Sequence, residues 1–325
     1  MAFAQPYTYT DLQNYLHSIE KKYKYIVREP LCHTILGNVC DMLTITSPSK
    51  QKIPKRGIIF TARVHSGETV GSWMIKGVID FLLSEDSEAK SLRDEFIFKI
   101  IPMLNPDGVI QGNYRASMSG CDLNRKYLCP SKSFHPTIFH TKKMAKEFSR
   151  NHPLLLYCDF HGHSKQKNVF MYGNTDEEVP EQYRLFPYIM SKVNSHFSFK
   201  ASKFSVQKSK VSTARVAMWK ELGVPTVYTI EASFFGASEW RKEPHFSIEE
   251  LMDIGKSVCQ ALNIYNKIQV NPESPIKLQC NEPKSKHELQ RLKHEDEPGK
   301  KSKIKELAMK IAKELKTNKS VLLGI

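Results

Sequence analysis

Apolar residues fall into two rhythms along this chain. Short runs rich in β-formers recur as RGIIFTA, FIFKIIPML (96–104), LLLYCDF (154–160), NVFMYG (168–173) and TVYTIEAS (226–233). Such runs, bounded by turn residues, predict buried strands. Between them the spacing changes. In GSWMIKGVIDFLLS (71–84), Trp73, Met74, Gly77, Val78, Phe81 and Leu82 recur at helical intervals. HTKKMAKEFSR (140–150), the stretch after Pro180 and FSIEELMDIGKSVCQALNIY (246–265) also predict helices. The last of these opens with Ser247 and Glu250, the spacing of a capping box. Strands alternating with helices predict an α/β layer fold with a mixed, mostly parallel sheet.

The pattern divides the chain. Residues 56–268 carry the alternating elements, and 1–55 form a lead-in segment packed on that domain or continuous with it. From 269 to 325 the chain is charged and poor in aromatics, which predicts a disordered tail. Within it, 301–316 has Ile304, Leu307, Ala308, Ile311 and Leu315 on one stripe among lysines, a possible amphipathic helix. The bland expectation is a solvated helix without a partner. A docking helix or an anchor for acidic surfaces is the sharper alternative.

Charge narrows the choice of partner. Forty-eight Lys and Arg against 34 Asp and Glu give a formal net charge of +14, which predicts an acidic substrate or partner. No basic stretch interleaves with aromatics, so no specific nucleic-acid site is predicted. No apolar run approaches the 18 residues of a membrane span, and the N-terminus lacks a secretory signal. The seven cysteines are odd in number and include no CxxC pair, as expected of reduced thiols in a cytoplasmic protein.

The chemistry concentrates where predicted strands end. In TARVHSGET, His65 and Glu68 stand three apart in the loop after a strand, so both can turn toward one ion. His161, in YCDFHGHS, follows a second strand and completes a His–Glu–His set of the kind that binds catalytic zinc. His163 competes with it as a ligand or serves in support. Glu231 ends a third strand among apolar neighbours, where a carboxylate can act as general base. NPDGVIQGNYRASMSGCDLNRKY adds Arg115 and Arg125, whose planar forks match carboxylates.

HSGET, NPDGVIQGNYR, DLNR, CDFHGHSKQKNVFMYG and STARVAMWKELGVPTVYTIEASF, read in order, resemble the cytosolic carboxypeptidases. These are zinc metallocarboxypeptidases that include the tubulin deglutamylases. The resemblance covers residues 5–265 and implies a three-layer α/β/α fold. It implies one Zn2+ per chain on His65, Glu68 and His161, with Glu231 activating water and Arg115 stabilising the oxyanion. Asn124 and Arg125 would hold the substrate's terminal carboxylate, and Arg215 would line the pocket for its last side chain. The implied activity is removal of C-terminal glutamate from acidic tails, tubulin foremost, in the cytoplasm. The alternatives are a non-catalytic binder of acidic surfaces such as microtubules and a deacylase of N-acyl amino acids.

The chain departs from that family in three ways. Ser66 stands where proline is common, which is expected to loosen the turn. The loop FSVQKSKVS holds no tyrosine, so no lid tyrosine is assigned. The β-rich domain that precedes the family's catalytic domain is expected to be lacking.

Overall fold

Alternation within each strand builds two separate cores. The computed structural model describes residues 4–48, 54–238, 245–269, 303–317 and 320–323. Seven strands form one sheet: β1 (Ile26–His33), β2 (Val39–Ile45), β3 (Arg56–Ala62), β4 (Phe96–Ile101), β5 (Leu154–His163), β6 (Val169–Tyr172) and β7 (Val227–Ser233). Their spatial order is β1-β2-β4-β3-β5-β7-β6. The central strands β4, β3, β5 and β7 pair in parallel. Antiparallel pairing flanks them, and only β2 and β6 run against the other five.

Side chains alternate across this sheet. Ile58, Phe60, Leu156, Cys158, Phe160, Tyr228 and Ile230 point to one face. There they meet helices α1 (Tyr9–Lys22), α2 (Thr69–Leu83), α3 (Ser87–Glu95), α6 (Pro180–Val193) and α8 (Ile248–Gln269). Ile59, Tyr157 and Val227 point to the other face, under α5 (Pro136–Asn151) and α7 (Ala214–Leu222). The short α4 (Pro106–Gln111) lies in the connection between β4 and α5. The result is three layers, helix–sheet–helix.

The predicted capping box is present: the Ser247 amide donates to Glu250 Oε2 at 2.9 Å, and the Glu250 amide to Ser247 Oγ at 3.2 Å. Helices α2 and α8 touch backbone to backbone. A Cβ added at Gly77 would lie 2.0 Å from the Met252 carbonyl oxygen, and one at Gly255 would lie 1.9 Å from that of Met74. This contact anchors α2, whose first turn comes directly after the HSGE loop.

The lead-in segment supplies α1, with Leu12, Leu16 and Ile19 in the first core, and two strands that extend the sheet. Edge strand β1 shows a mostly exposed burial pattern, so its apolar periodicity is faint.

The tail corrects the expectation of an unpartnered helix. Helix α9 (Lys303–Thr317) places Ala308, Ile311 and Leu315 in the same core as α8. The Tyr188 hydroxyl donates to Glu314 Oε1 at 2.6 Å. After it, α10 (Ser320–Leu323) accepts a 3.2 Å bond from Arg184 Nη1 at the Leu322 carbonyl. The apolar stripe is held because α6 and α8 leave a facing surface, which no local pattern reveals. The expected disordered linker, 270–302, lies outside the described residues.

Candidate active site and metal centre

Strand β3 ends at Ala62, and Arg63 then turns the chain with a φ of 57°, unusual for a residue with a side chain. Its guanidinium is buried and clamps the HSGE turn. Nε and Nη2 donate to the Ser66 carbonyl at 3.1 and 2.7 Å, and Nη1 donates to Ser72 Oγ at 2.6 Å and to the Tyr7 carbonyl at 3.1 Å. The turn held in this way presents His65 and Glu68. His161 arrives from β5, where the parallel register sets it opposite Glu231 of β7. Both lie at the carboxyl ends of their strands, on the α5/α7 side of the sheet, where open α/β folds place their sites.

The three candidate ligands converge. His65 Nδ1 lies 2.8 Å from Glu68 Oε1, and His161 Nδ1 lies 2.8 Å from Glu68 Oε2. The outer ring nitrogens are taken by other carboxylates: His65 Nε2 lies 2.9 Å from Asp122 Oδ1, and His161 Nε2 lies 2.7 Å from Asp159 Oδ2. A proton on each Nε2 leaves the Nδ1 lone pair for a metal. One atom from each of the three residues lies within 4.8 Å of the others, and all three residues are buried. Two imidazole nitrogens and one carboxylate oxygen, with no fourth protein ligand among the described residues, suit a catalytic zinc ion. His163 is not part of this set; its Nδ1 accepts the amides of Lys165 and Gln166 at 3.2 and 3.0 Å.

Electrostatics separates the carboxylates. Burial works to raise Glu68, but His161 and His65 outweigh it and hold the group well below the usual carboxyl range. Burial also opposes the ionisation of Asp122, and His65, Arg115 and Arg125 overcome it. Glu231 goes the other way: burial pushes it up to about 8. Its Oε2 is buried without a hydrogen-bond partner among the described residues.

A carboxyl raised by folding binds its proton more tightly in the native state. The metal-free protein therefore loses stability from this group as pH rises from the ordinary carboxyl range through about 8. Thermal melts of metal-free protein between about pH 5 and 9 should show Tm falling more steeply for the wild type than for Glu231→Gln.

The arginines occupy different depths. Arg115 is 43% exposed at its side chain and forks onto Asp122 Oδ2, through Nε at 2.9 Å and Nη2 at 2.8 Å. Its Nη1 lies 3.6 Å from Glu68 Oε1, at the edge of the metal set. Arg125, on the 3-10 turn Leu123–Arg125, donates from Nη1 to the Asn124 carbonyl at 3.0 Å. Asn124 is buried, and its Oδ1 accepts the Ala214 amide at 2.8 Å, which joins the start of α7 to this turn. The next residue, Arg215, is only 6% exposed. Its Nη1 donates to Asn174 Oδ1 at 3.0 Å and to the Gly173 carbonyl, and no carboxylate pairs with it among the described residues.

Sequence reading passed over Asp122, Asp159 and Asn174. Asp159 carried a signal: two residues before His161 on one strand, it had to share that histidine's face. The contacts of Asp122 with His65 and of Asn174 with Arg215 carried none, because these partners lie 57 and 41 positions away.

A buried His–Glu–His set with a carboxyl group opposite one histidine is what a zinc peptidase would require. The chain belongs to the zinc carboxypeptidase family, whose model matches residues 12–241. It is 46% identical over 306 residues to cytosolic carboxypeptidase 2 of Xenopus tropicalis, across 91% of this chain and 31% of that protein. It is 44% identical over 275 residues to cytosolic carboxypeptidase 3 of Bos taurus, across 81% of this chain and 27% of that protein. The human cytosolic carboxypeptidase 2 is 44% identical over 267 residues, 79% of this chain and 30% of the relative. The chain thus spans about 30% of the length of the curated relatives it matches. Among solved structures, a metallo-carboxypeptidase from Burkholderia cenocepacia shares the fold with a TM-score of 0.74 at 20% identity, over 82% of this chain and 70% of that one. Carboxypeptidase A from Helicoverpa armigera gives 0.62 at 17% identity, over 82% and 74%. No helix among the described residues is long and apolar enough to cross a membrane.

Proposed function

We propose that this chain is a zinc-dependent carboxypeptidase that removes C-terminal glutamate from acidic protein tails, with tubulin tails the leading substrate class. The observation that carries the glutamate preference is Arg215, a buried cation without a carboxylate partner among the described residues. An isolated buried charge is costly, and a substrate carboxylate would offset that cost.

His65, Glu68 and His161 would hold the zinc ion. When bound, zinc supplies a Lewis acid and lowers the pKa of water toward about 7. Glu231 Oε2 takes the proton from the attacking water and returns it to the leaving amine; its burial favours the protonated state that the second transfer needs. Arg115 donates to the oxyanion that develops on the scissile carbonyl, a contact of the kind worth about 3 kcal/mol. Asn124 and Arg125 receive the terminal carboxylate, which restricts cleavage to the last residue. Asn124 Oδ1 already accepts the Ala214 amide, so Nδ2 is the donor that Asn124 would offer beside the Arg125 guanidinium.

The test is mass spectrometry of a peptide ending in four glutamates, incubated with the zinc-loaded chain. Stepwise loss of glutamate is expected. An intact peptide beside folded, zinc-bound protein would overturn this reading. The net charge of +14 should also steer acidic tails, so kcat/KM should fall several-fold between low and high salt. A flat salt profile would remove steering from the account.

A further inference from the structure

Ser66 stands between the two candidate ligands of the HSGE turn. The resemblance predicted a looser turn from it, and the structure shows a tie. Its side chain is buried, and its hydroxyl donates to the Asn113 carbonyl at 2.6 Å. Beside it, the Gly67 amide donates to the Tyr114 carbonyl at 2.6 Å. These two bonds fasten the turn to residues 113 and 114, and Arg115 comes next. The approach is close: a Cβ added at Gly67 would lie 2.4 Å from the Tyr114 ring, and one at Gly108 would lie 2.8 Å from Ser66 Oγ. The carbonyl of Ser66 is meanwhile held by the Arg63 fork. One residue is therefore bonded on its main chain to the end of β3 and on its side chain to the loop that carries Arg115.

We propose that Ser66 is a positioning residue for Arg115, its hydroxyl linking the metal-binding turn to the loop that aims the arginine. Asp122 fixes the far end of the same arrangement, because it accepts the Arg115 fork and also meets His65 Nε2. The guanidinium is thus oriented at its tip by Asp122 and placed at its root by Ser66. Placement at the root matters because the Arg115 side chain is half-exposed, so burial alone does not fix it. The inference rests on the reading of Arg115 as the oxyanion donor.

The experiment compares Ser66→Ala with the wild type as full-length, zinc-loaded protein, alone and in an Arg115→Lys background. Loss of one hydrogen bond at a positioning contact should lower kcat about five- to tenfold and leave KM and the zinc Kd within about twofold. Lysine has no fork to misplace, so in the Arg115→Lys background the same change should alter kcat less than about twofold. Amide exchange across residues 112–117 should speed up about tenfold in Ser66→Ala while the strands stay protected.

An equal loss of kcat in both backgrounds, a weakened zinc Kd in proportion to kcat, or unchanged exchange across 112–117 would overturn the proposal. If the wild type releases no glutamate, the reading of Arg115 fails separately, and the exchange measurement alone decides whether Ser66 ties the loop.

Discussion

Glu231→Gln should lose most of its turnover and keep its zinc. The carboxylate lies opposite His161 in the β5/β7 register, and its Oε2 is buried without a partner among the described residues. A glutamine has nearly the same shape, so the register and the three candidate ligands are undisturbed. It cannot take a proton from water or return one to an amine. General acid–base groups contribute about 10²–10⁴-fold, and kcat on a glutamate-ended peptide should drop by that order. KM should move little, because the residue is not asked to bind the substrate's terminus. Zinc content by metal analysis should stay near one per chain. The substitution also removes the buried ionisable group, so the metal-free variant should melt no lower than the wild type at pH 8. A variant that kept more than about a tenth of wild-type kcat would take the general-base role away from Glu231.

Arg215→Met should abolish the preference for glutamate. The guanidinium is buried between Gly173 and Asn174, so it loses solvent without gaining a carboxylate among the described residues. A substrate glutamate would supply that carboxylate in a site with little water to screen it. Truncating one partner of a buried charge pair costs about 2–5 kcal/mol, so kcat/KM for glutamate-ended peptides should fall at least roughly thirtyfold. Leucine-ended peptides should be cleaved as well as before or better, since an unpaired buried charge no longer meets an apolar side chain. Arg215→Lys should fall between, keeping the charge and losing the planar fork. The measurement is the ratio of kcat/KM for the two peptides. An unchanged ratio in a folded Arg215→Met protein would mean that the arginine braces β6 and α7 and takes no part in selection.

The alternation of strands β3 to β7 with helices α2, α5, α6 and α8, the capping box at Ser247 and Glu250, and the placement of His65, Glu68, His161 and Glu231 at strand ends were legible in the sequence. Each is a local matter. Side-chain periodicity, a cap three residues long, or a polar residue just past an apolar run shows itself within one element. The tertiary structure decided what depends on neighbours far along the chain. Strand β1 carries too little apolar alternation to announce itself, and it exists because β2, largely buried and paired to β4, offers it an edge. The tail helix is held because α6 and α8 present an apolar face to its stripe. Asp122 holds His65 across 57 positions, and Ser66 reaches Asn113 across 47. A hydrogen bond needs its partners within about 3 Å, and only the assembled sheet brings such residues that close. Residue types and their spacing thus determined which groups collect at the ends of the strands. Packing decided which of them are buried, paired or left with an unmet charge, and those differences set the chemistry proposed for the site.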